Sequence, residues 1–125
     1  MSEAGPVKIG IVGSRRRNTD EDFKLVEEAF FKVFIPYITH IISGGCSRGA
    51  DRFAPIIADK YKCSMFTYHP KFEIGIPYCY FERNKKIAYE SDILIACVAP
   101  DRKGGTEHTI AMFLHHHPEG KLIIV

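Results

Sequence analysis

Three glycine-rich stretches carry the residue types best suited to holding an anion. They are Gly13-Ser14-Arg15-Arg16-Arg17, Gly44-Gly45-Cys46-Ser47-Arg48-Gly49-Ala50-Asp51 and Lys103-Gly104-Gly105-Thr106-Glu107. Glycine lets a backbone approach a ligand closely and take up positive φ. Free N–H groups at the start of a helix attract negative charge. Serine and threonine add neutral donors, and arginine supplies a two-pronged clamp for phosphate. One such loop is weak grounds for a site. Three in one chain point to a phosphate-type site whose candidate contacts are Gly13, Ser14, Arg15, Gly44, Gly45, Ser47, Arg48, Gly49, Asp51, Gly104, Gly105 and Thr106. Arg15 leads the three consecutive arginines because it abuts the glycine–serine turn. Asp51 has a second role open to it, capping backbone amides or pairing with Arg48.

The same stretches exclude two familiar chemistries. Gly44 and Gly49 have the spacing of a P-loop, but Ala50-Asp51 stand where Lys and Ser/Thr are required, so NTP hydrolysis of that kind is not expected. No GxGxxG follows the first apolar run and the second does not end in an acidic residue, which argues against a dinucleotide-dependent dehydrogenase. His115-His116-His117 resembles a metal motif, yet three consecutive helical positions diverge and cannot all face one ion. No metal and no resident cofactor is expected. Cys46, Cys63, Cys79 and Cys97 form no CxxC pair, so they read as reduced thiols of a cytoplasmic protein.

The elements that must position these residues are legible as alternating patterns. Five short apolar runs read as strands: Val7–Val12, Tyr37–Ser43, Ser64–Tyr68, Ile93–Val98 and Leu122–Val125. Several are apolar on both faces, as parallel strands covered by helices on each side must be. Helical periodicity fills Asp20–Phe34, Ala50–Tyr61, Tyr78–Glu90 and Glu107–His116. Thr19 or Asp20 is the natural N-cap of the first, and Pro36 its stop. Pro55 in the second predicts a local irregularity.

Strand and helix thus alternate through the whole chain. With right-handed crossovers the pattern predicts an α/β, Rossmann-like three-layer domain with a five-stranded, mostly parallel sheet ordered 3-2-1-4-5. Ligands in such sheets bind beyond the carboxyl ends of the strands, where the glycine-rich stretches fall. The one long irregular segment, His69–Pro77, reads as a flap over that site or a passive connection.

With 125 residues the chain has room for one domain, 1–125. Its formal charge of +2 is too small to imply polyanion binding by itself. Met1–Pro6 lacks the apolar core of a secretory signal, and no run approaches a membrane span. Phe23, Phe30, Phe31 and Phe34 make the first helix apolar around much of its circumference, from which self-association into a homo-oligomer is expected.

Four motifs in order, IGIVGSR (Ile9–Arg15), ISGGCSRGAD (Ile42–Asp51), ERNKKIAYESDILIAC (Glu82–Cys97) and GGTEHTI (Gly104–Ile110), resemble the SLOG superfamily of Rossmann-like domains. That superfamily includes the DNA-processing protein DprA (Smf) and the Lonely Guy (LOG) phosphoribohydrolases. The resemblance covers nearly the whole chain and is nearest to small stand-alone members of undefined role. It implies a nucleotide or nucleotide-derived ligand, with Arg83 and Asn84 nearby. From the LOG side it implies hydrolysis of the N-glycosidic bond of a nucleoside 5′-monophosphate, with Arg83 and Glu107 as catalytic residues. Aligning Gly105-Thr106 on the family's Gly-Thr puts Thr109 at the catalytic glutamate position, and Glu107 lies two residues before it. From the DprA side it implies binding of single-stranded nucleic acid by Arg15, Arg16, Arg17, Arg48 and Arg52.

Overall fold

The structure, a computed structural model, describes residues 5–46 and 48–125. Its elements alternate as β1 (Val7–Gly13), α1 (Asp20–Val33), β2 (Thr39–Ser43), α2 (Ala50–Tyr61) and β3 (Ser64–Thr67). A 3-10 turn (Phe72–Ile74), α3 (Tyr78–Glu90), β4 (Ile93–Cys97), α4 (Gly105–His116) and β5 (Lys121–Ile124) complete the chain. The five strands form one sheet in the order β3-β2-β1-β4-β5, every neighbouring pair parallel. The fold is therefore the α/β, Rossmann-like three-layer arrangement that the alternation predicts. No helix among the described residues is long and apolar enough to cross a membrane.

Strand parity sorts the core into two layers, because successive side chains of a strand point to opposite faces. Ile9, Ile11, Ile41 and Ile95 pack with Val26 and Phe30 of α1 and with Phe53 and Ile57 of α2. On the other face Val12, Ile42, Leu94 and Ala96 meet Ile87 and Ala88 of α3 and Ile110 and Phe113 of α4. Each of these large side chains contributes roughly 1.5–3 kcal/mol on leaving water.

Helix α1 begins with a reciprocal capping box. The Thr19 hydroxyl accepts the Asp22 N–H, and the Asp22 carboxylate accepts the Thr19 N–H, both at 3.1 Å. Burial alone would lift the Asp22 carboxyl. The Arg17 side chain and the Thr19 N–H and hydroxyl overcome that and hold it below the ordinary range.

Three expectations are corrected. β2 starts at Thr39 and not at Tyr37, because Tyr37 has φ 72°, a left-handed conformation that no strand accommodates. Helix α2 runs unbroken through Pro55. Helix α4 starts at Gly105, two residues before Glu107. The phenylalanines of α1 are also accounted for differently. Phe30 is fully buried and Phe23 and Phe34 pack against the same cluster, so Phe31 alone, 64% exposed, faces outward.

Gly10 lies mid-strand because α3 and β4 close over it: a Cβ there would stand 2.3 Å from Ser91 Oγ and 2.9 Å from Leu94 Cδ1. Gly10→Ala is expected to lower stability by about 1–3 kcal/mol through overpacking. The Gly10→Ala/Ser91→Gly double variant should recover part of that loss. Urea denaturation of the double-mutant cycle checks it, and simple additivity would show that the Ser91 contact is not what excludes a side chain.

Candidate functional site

The strand order opens a crevice at one place. After β1 the chain crosses toward β2, whereas after β4 it crosses toward β5, so the two connections diverge from neighbouring strands. Gly13 and Cys97 form the last rung between β1 and β4, and the Ser14 N–H donates to the Cys97 carbonyl at 2.9 Å. Beyond that rung lies a cavity of about 580 Å³, a size ordinary for a small-molecule site.

Each wall comes from a separate element. Gly13, Ser14 and Arg15 continue β1; Gly44, Gly45 and Cys46 continue β2, with Asp51 from the start of α2 beside them. His69, Pro70, Phe72 and Pro77 of the irregular segment close the β3 side. Helix α3 presents Tyr80, Phe81, Arg83, Asn84 and Ile87, and α4 presents Gly105, Thr106 and Thr109. The His69–Pro77 segment is thus part of the cavity.

Helix α1 has its capping box, but α2, α3 and α4 start at Gly49, Pro77 and Gly104 with no side-chain cap. The first N–H groups of an α-helix have no partner within it. At α4 the first two belong to Gly105 and Thr106, both on the cavity wall. Gly104 itself has φ 123°, open to glycine, and stands off the wall.

The three consecutive arginines have three different fates. Arg16 makes a two-pronged pair with Asp101 at 3.0 and 2.7 Å and donates to the Lys103 carbonyl. Arg17 holds Asp22 at 2.6 Å and donates to the carbonyls of Val98 and Val125. Arg15 is exposed, lies on the cavity wall and has no side-chain hydrogen bond or ion pair among the described residues.

Arg83 and Asn84 brace the site across its width. The Arg83 Nη1 donates to the Gly44 carbonyl and its Nε to Asn84 Oδ1, both at 2.9 Å. Buried Asn84 in turn donates from Nδ2 to the Gly105 carbonyl at 3.4 Å. A Cβ on Gly44 would meet Arg83 Nη1 at 2.7 Å and Asp51 Oδ2 at 3.0 Å, so a side chain there would have to displace the guanidinium. Gly45 has φ 76°, and a Cβ there would meet His69 Cε1 at 2.6 Å and Thr67 Cγ2 at 2.7 Å.

Asp51 is the one carboxylate on the wall among the described residues. Its Oδ2 accepts the Cys46 N–H at 3.1 Å and its Oδ1 the Ser43 hydroxyl at 3.5 Å. No contact joins it to Arg48 among the described residues, so of its two structural roles it takes the amide cap. Burial raises its pKa, opposed by the Cys46 N–H, the Arg83 charge, the Gly44 N–H and the Ser43 hydroxyl.

Of the remaining residues singled out in the sequence, Thr109 and Cys46 lie on the wall and the others described lie off it. Gly49, with φ 70°, sits against the Ser14 carbonyl and donates to Asn18 Oδ1 at 2.8 Å. Arg48 is exposed and off the wall, Arg52 is tied to Asn18 at 2.8 Å, and Ser47 lies outside the described residues. The Glu107 carboxylate points away from the cavity wall into a two-pronged pair with Arg102 at 2.8 and 3.0 Å. Thr109 occupies the wall and donates to the Gly105 carbonyl at 3.4 Å. Of the thiols, buried Cys97 is pushed up to about 11 by desolvation, which removes it as a nucleophile at neutral pH. Cys46 lies on the wall.

Sequence reasoning missed the aromatic part of the wall. Phe72 and Tyr80 meet edge to face with ring centroids 6.0 Å apart, and the Arg83 guanidinium lies 5.9 Å from the Tyr80 ring. The available signal was the spacing of Tyr80, Arg83, Asn84 and Ile87, which puts them on one face of α3.

A scan against protein-family models, a search of curated proteins and a search of solved structures each return no match.

The sign of the Asp51 shift makes a testable statement. Because its native pKa lies above 3.8, the native state holds that proton more tightly than the unfolded chain. The group's favourable contribution is then complete below 3.8 and lost as pH rises through the native value. Relative to Asp51→Asn, the wild type should lose stability over that rise, read as urea midpoints at several pH values. A wild type that gains on the variant over the same rise would mark the ionised form as the stabilising one.

Proposed function

We propose that the protein binds a nucleotide or nucleotide-derived ligand at the carboxyl edge of the sheet. The phosphate is held by the Ser14–Arg15 turn and by the Gly105 and Thr106 amides, and the base lies against Tyr80 and Phe72. One observation carries this reading. The Arg15 guanidinium, without an internal partner among the described residues, shares a cavity wall with the uncapped start of α4. The two arginines that follow it, Arg16 and Arg17, are both engaged in ion pairs. A cation left unpaired beside free amides is the arrangement that recognises phosphate. The aromatic pair, its rings near-perpendicular, supplies one ring face on which a base stacks and a second ring to flank it.

Two other readings have less support. A phosphoribohydrolase needs a carboxylate against the sugar; Glu107 is held by Arg102 off the wall, Thr109 takes the matching place, and Asp51 on the wall is engaged by the Cys46 N–H and the Ser43 hydroxyl. A surface for single-stranded nucleic acid needs free arginines, and Arg16, Arg17 and Arg52 are bound within the fold.

A thermal-shift screen against mono- and dinucleotides, nucleotide sugars and oligo-dT tests the reading, since a ligand that binds only the native state raises its melting temperature. Arg15→Ala should weaken the binding of the active compound by about tenfold or more, the loss of a charge-assisted contact. Tyr80→Ala should cost roughly 1–3 kcal/mol of stacking. Binding that Arg15→Ala leaves untouched, or no shift with any nucleotide, would sink it. Release of free base, followed chromatographically, would instead restore the hydrolase.

A further inference from the structure

A second, smaller cavity of about 190 Å³ lies on the far side of the His69 connection, between the irregular segment and the outer face of α3. Its chemistry is one-sided. Among the described residues Lys71, Lys86, Arg83 and His69 line it against a single carboxylate, Glu82. Neither lysine forms an ion pair or a side-chain hydrogen bond among the described residues, although α3 offers Glu82 one turn before Lys86. The volume is too small for a nucleoside and suits a phosphate-sized group. His69 and Arg83 line both cavities, so the small one adjoins the large one as a neighbouring side chamber at these two residues.

We propose that this side chamber is a second anion subsite, and that the ligand is a nucleoside carrying phosphate on both its 5′ and its 3′ side. The inference rests on the nucleotide reading above and deepens it. Strand order sets the separation of the two subsites. Arg15 follows β1 and His69 follows β3, two places along the sheet, which is roughly 10 Å at the usual strand spacing. The phosphates of a nucleoside di- or triphosphate are joined through single oxygens and cannot serve both ends. Phosphates on opposite sides of a ribose can, with the base between them on Tyr80 and Phe72. Arg83 stands where the two chambers meet, and its Nη1 and Nε are fixed by Gly44 and Asn84. It is a shared cation, and Lys71 and Lys86 are the residues specific to the second phosphate. Such chemistry has two sources, a free nucleoside 3′,5′-bisphosphate or the end of a 5′-phosphorylated dinucleotide.

The test is isothermal titration of the full chain with 5′-monophosphates, 5′-diphosphates, 3′,5′-bisphosphates and 5′-phosphorylated dinucleotides, each with the four common bases. Wild type and the Lys71→Ala/Lys86→Ala double variant are compared; both lysines are exposed, so the fold tolerates the change. The bisphosphate or the dinucleotide should bind about tenfold more tightly than its monophosphate. The double variant should erase that gain and leave monophosphate affinity unchanged. A gain with the dinucleotide alone assigns the source to an oligonucleotide end; a gain with both assigns the free bisphosphate. Equal affinity for mono- and bisphosphate, a preference for the contiguous diphosphate, or a gain that survives the double variant overturns the second subsite and leaves the nucleotide reading standing. No binding by any of these compounds overturns both.

Discussion

The position of β1 between β2 and β4 is the constraint on which everything at the site depends. In an all-parallel sheet every strand ends on the same edge and every following helix starts there. With β1 central, the loops after β1, β2 and β4 fall side by side, and the Ser14 N–H bond to Cys97 pins the first to the end of β4. No single loop needs to enclose the cavity. The sheet assembles an enclosure from connections that are 30 and 61 residues apart in the chain (Ser14 to Gly44, Gly44 to Gly105) and that line one cavity in space.

Rigidity at that edge comes from polar groups that face one another across it. The run from the Gly44 carbonyl through Arg83 and Asn84 to the Gly105 carbonyl spans the cavity from β2 to α4. Asp51 gathers the Gly44–Cys46 backbone from below. Burying a carboxyl there is unfavourable, and the amides and Arg83 offset part of that cost. The result is a preorganised frame, in which the groups free to meet a ligand are few: Arg15, two helix-terminal amides and an aromatic pair. Preorganisation limits what binding must order.

Much of this was legible in the sequence. Alternating apolar runs and helical periods gave α2 and α3 to the residue and implied the sheet order, since right-handed crossovers leave few alternatives. The glycines at 13, 44, 45 and 105 were readable as wall positions because each follows a strand. What could not be read was pairing across the edge. Arg16 finds Asp101 and Arg17 finds the Val98 carbonyl more than 80 residues away, so three arginines that look alike in sequence divide into two structural members and one open one. Glu107 looked available because its partner, Arg102, is reached only through the left-handed backbone of the β4–α4 loop. The aromatic wall was hidden for another reason. Apolar periodicity marks a face of α3 but does not say whether that face meets the core or an empty chamber.

Gly45 is held as glycine by its backbone conformation and by the space around it. The His69 ring occupies the space that any side chain at position 45 would need, and the Thr67 methyl closes what remains. Shrinking the histidine would not open position 45, because its φ of 76° disfavours any side chain whatever the space, although it would alter both chambers at once. Variation at the boundary of the two chambers therefore falls to position 69, while the loop after β2 keeps its glycine at 45.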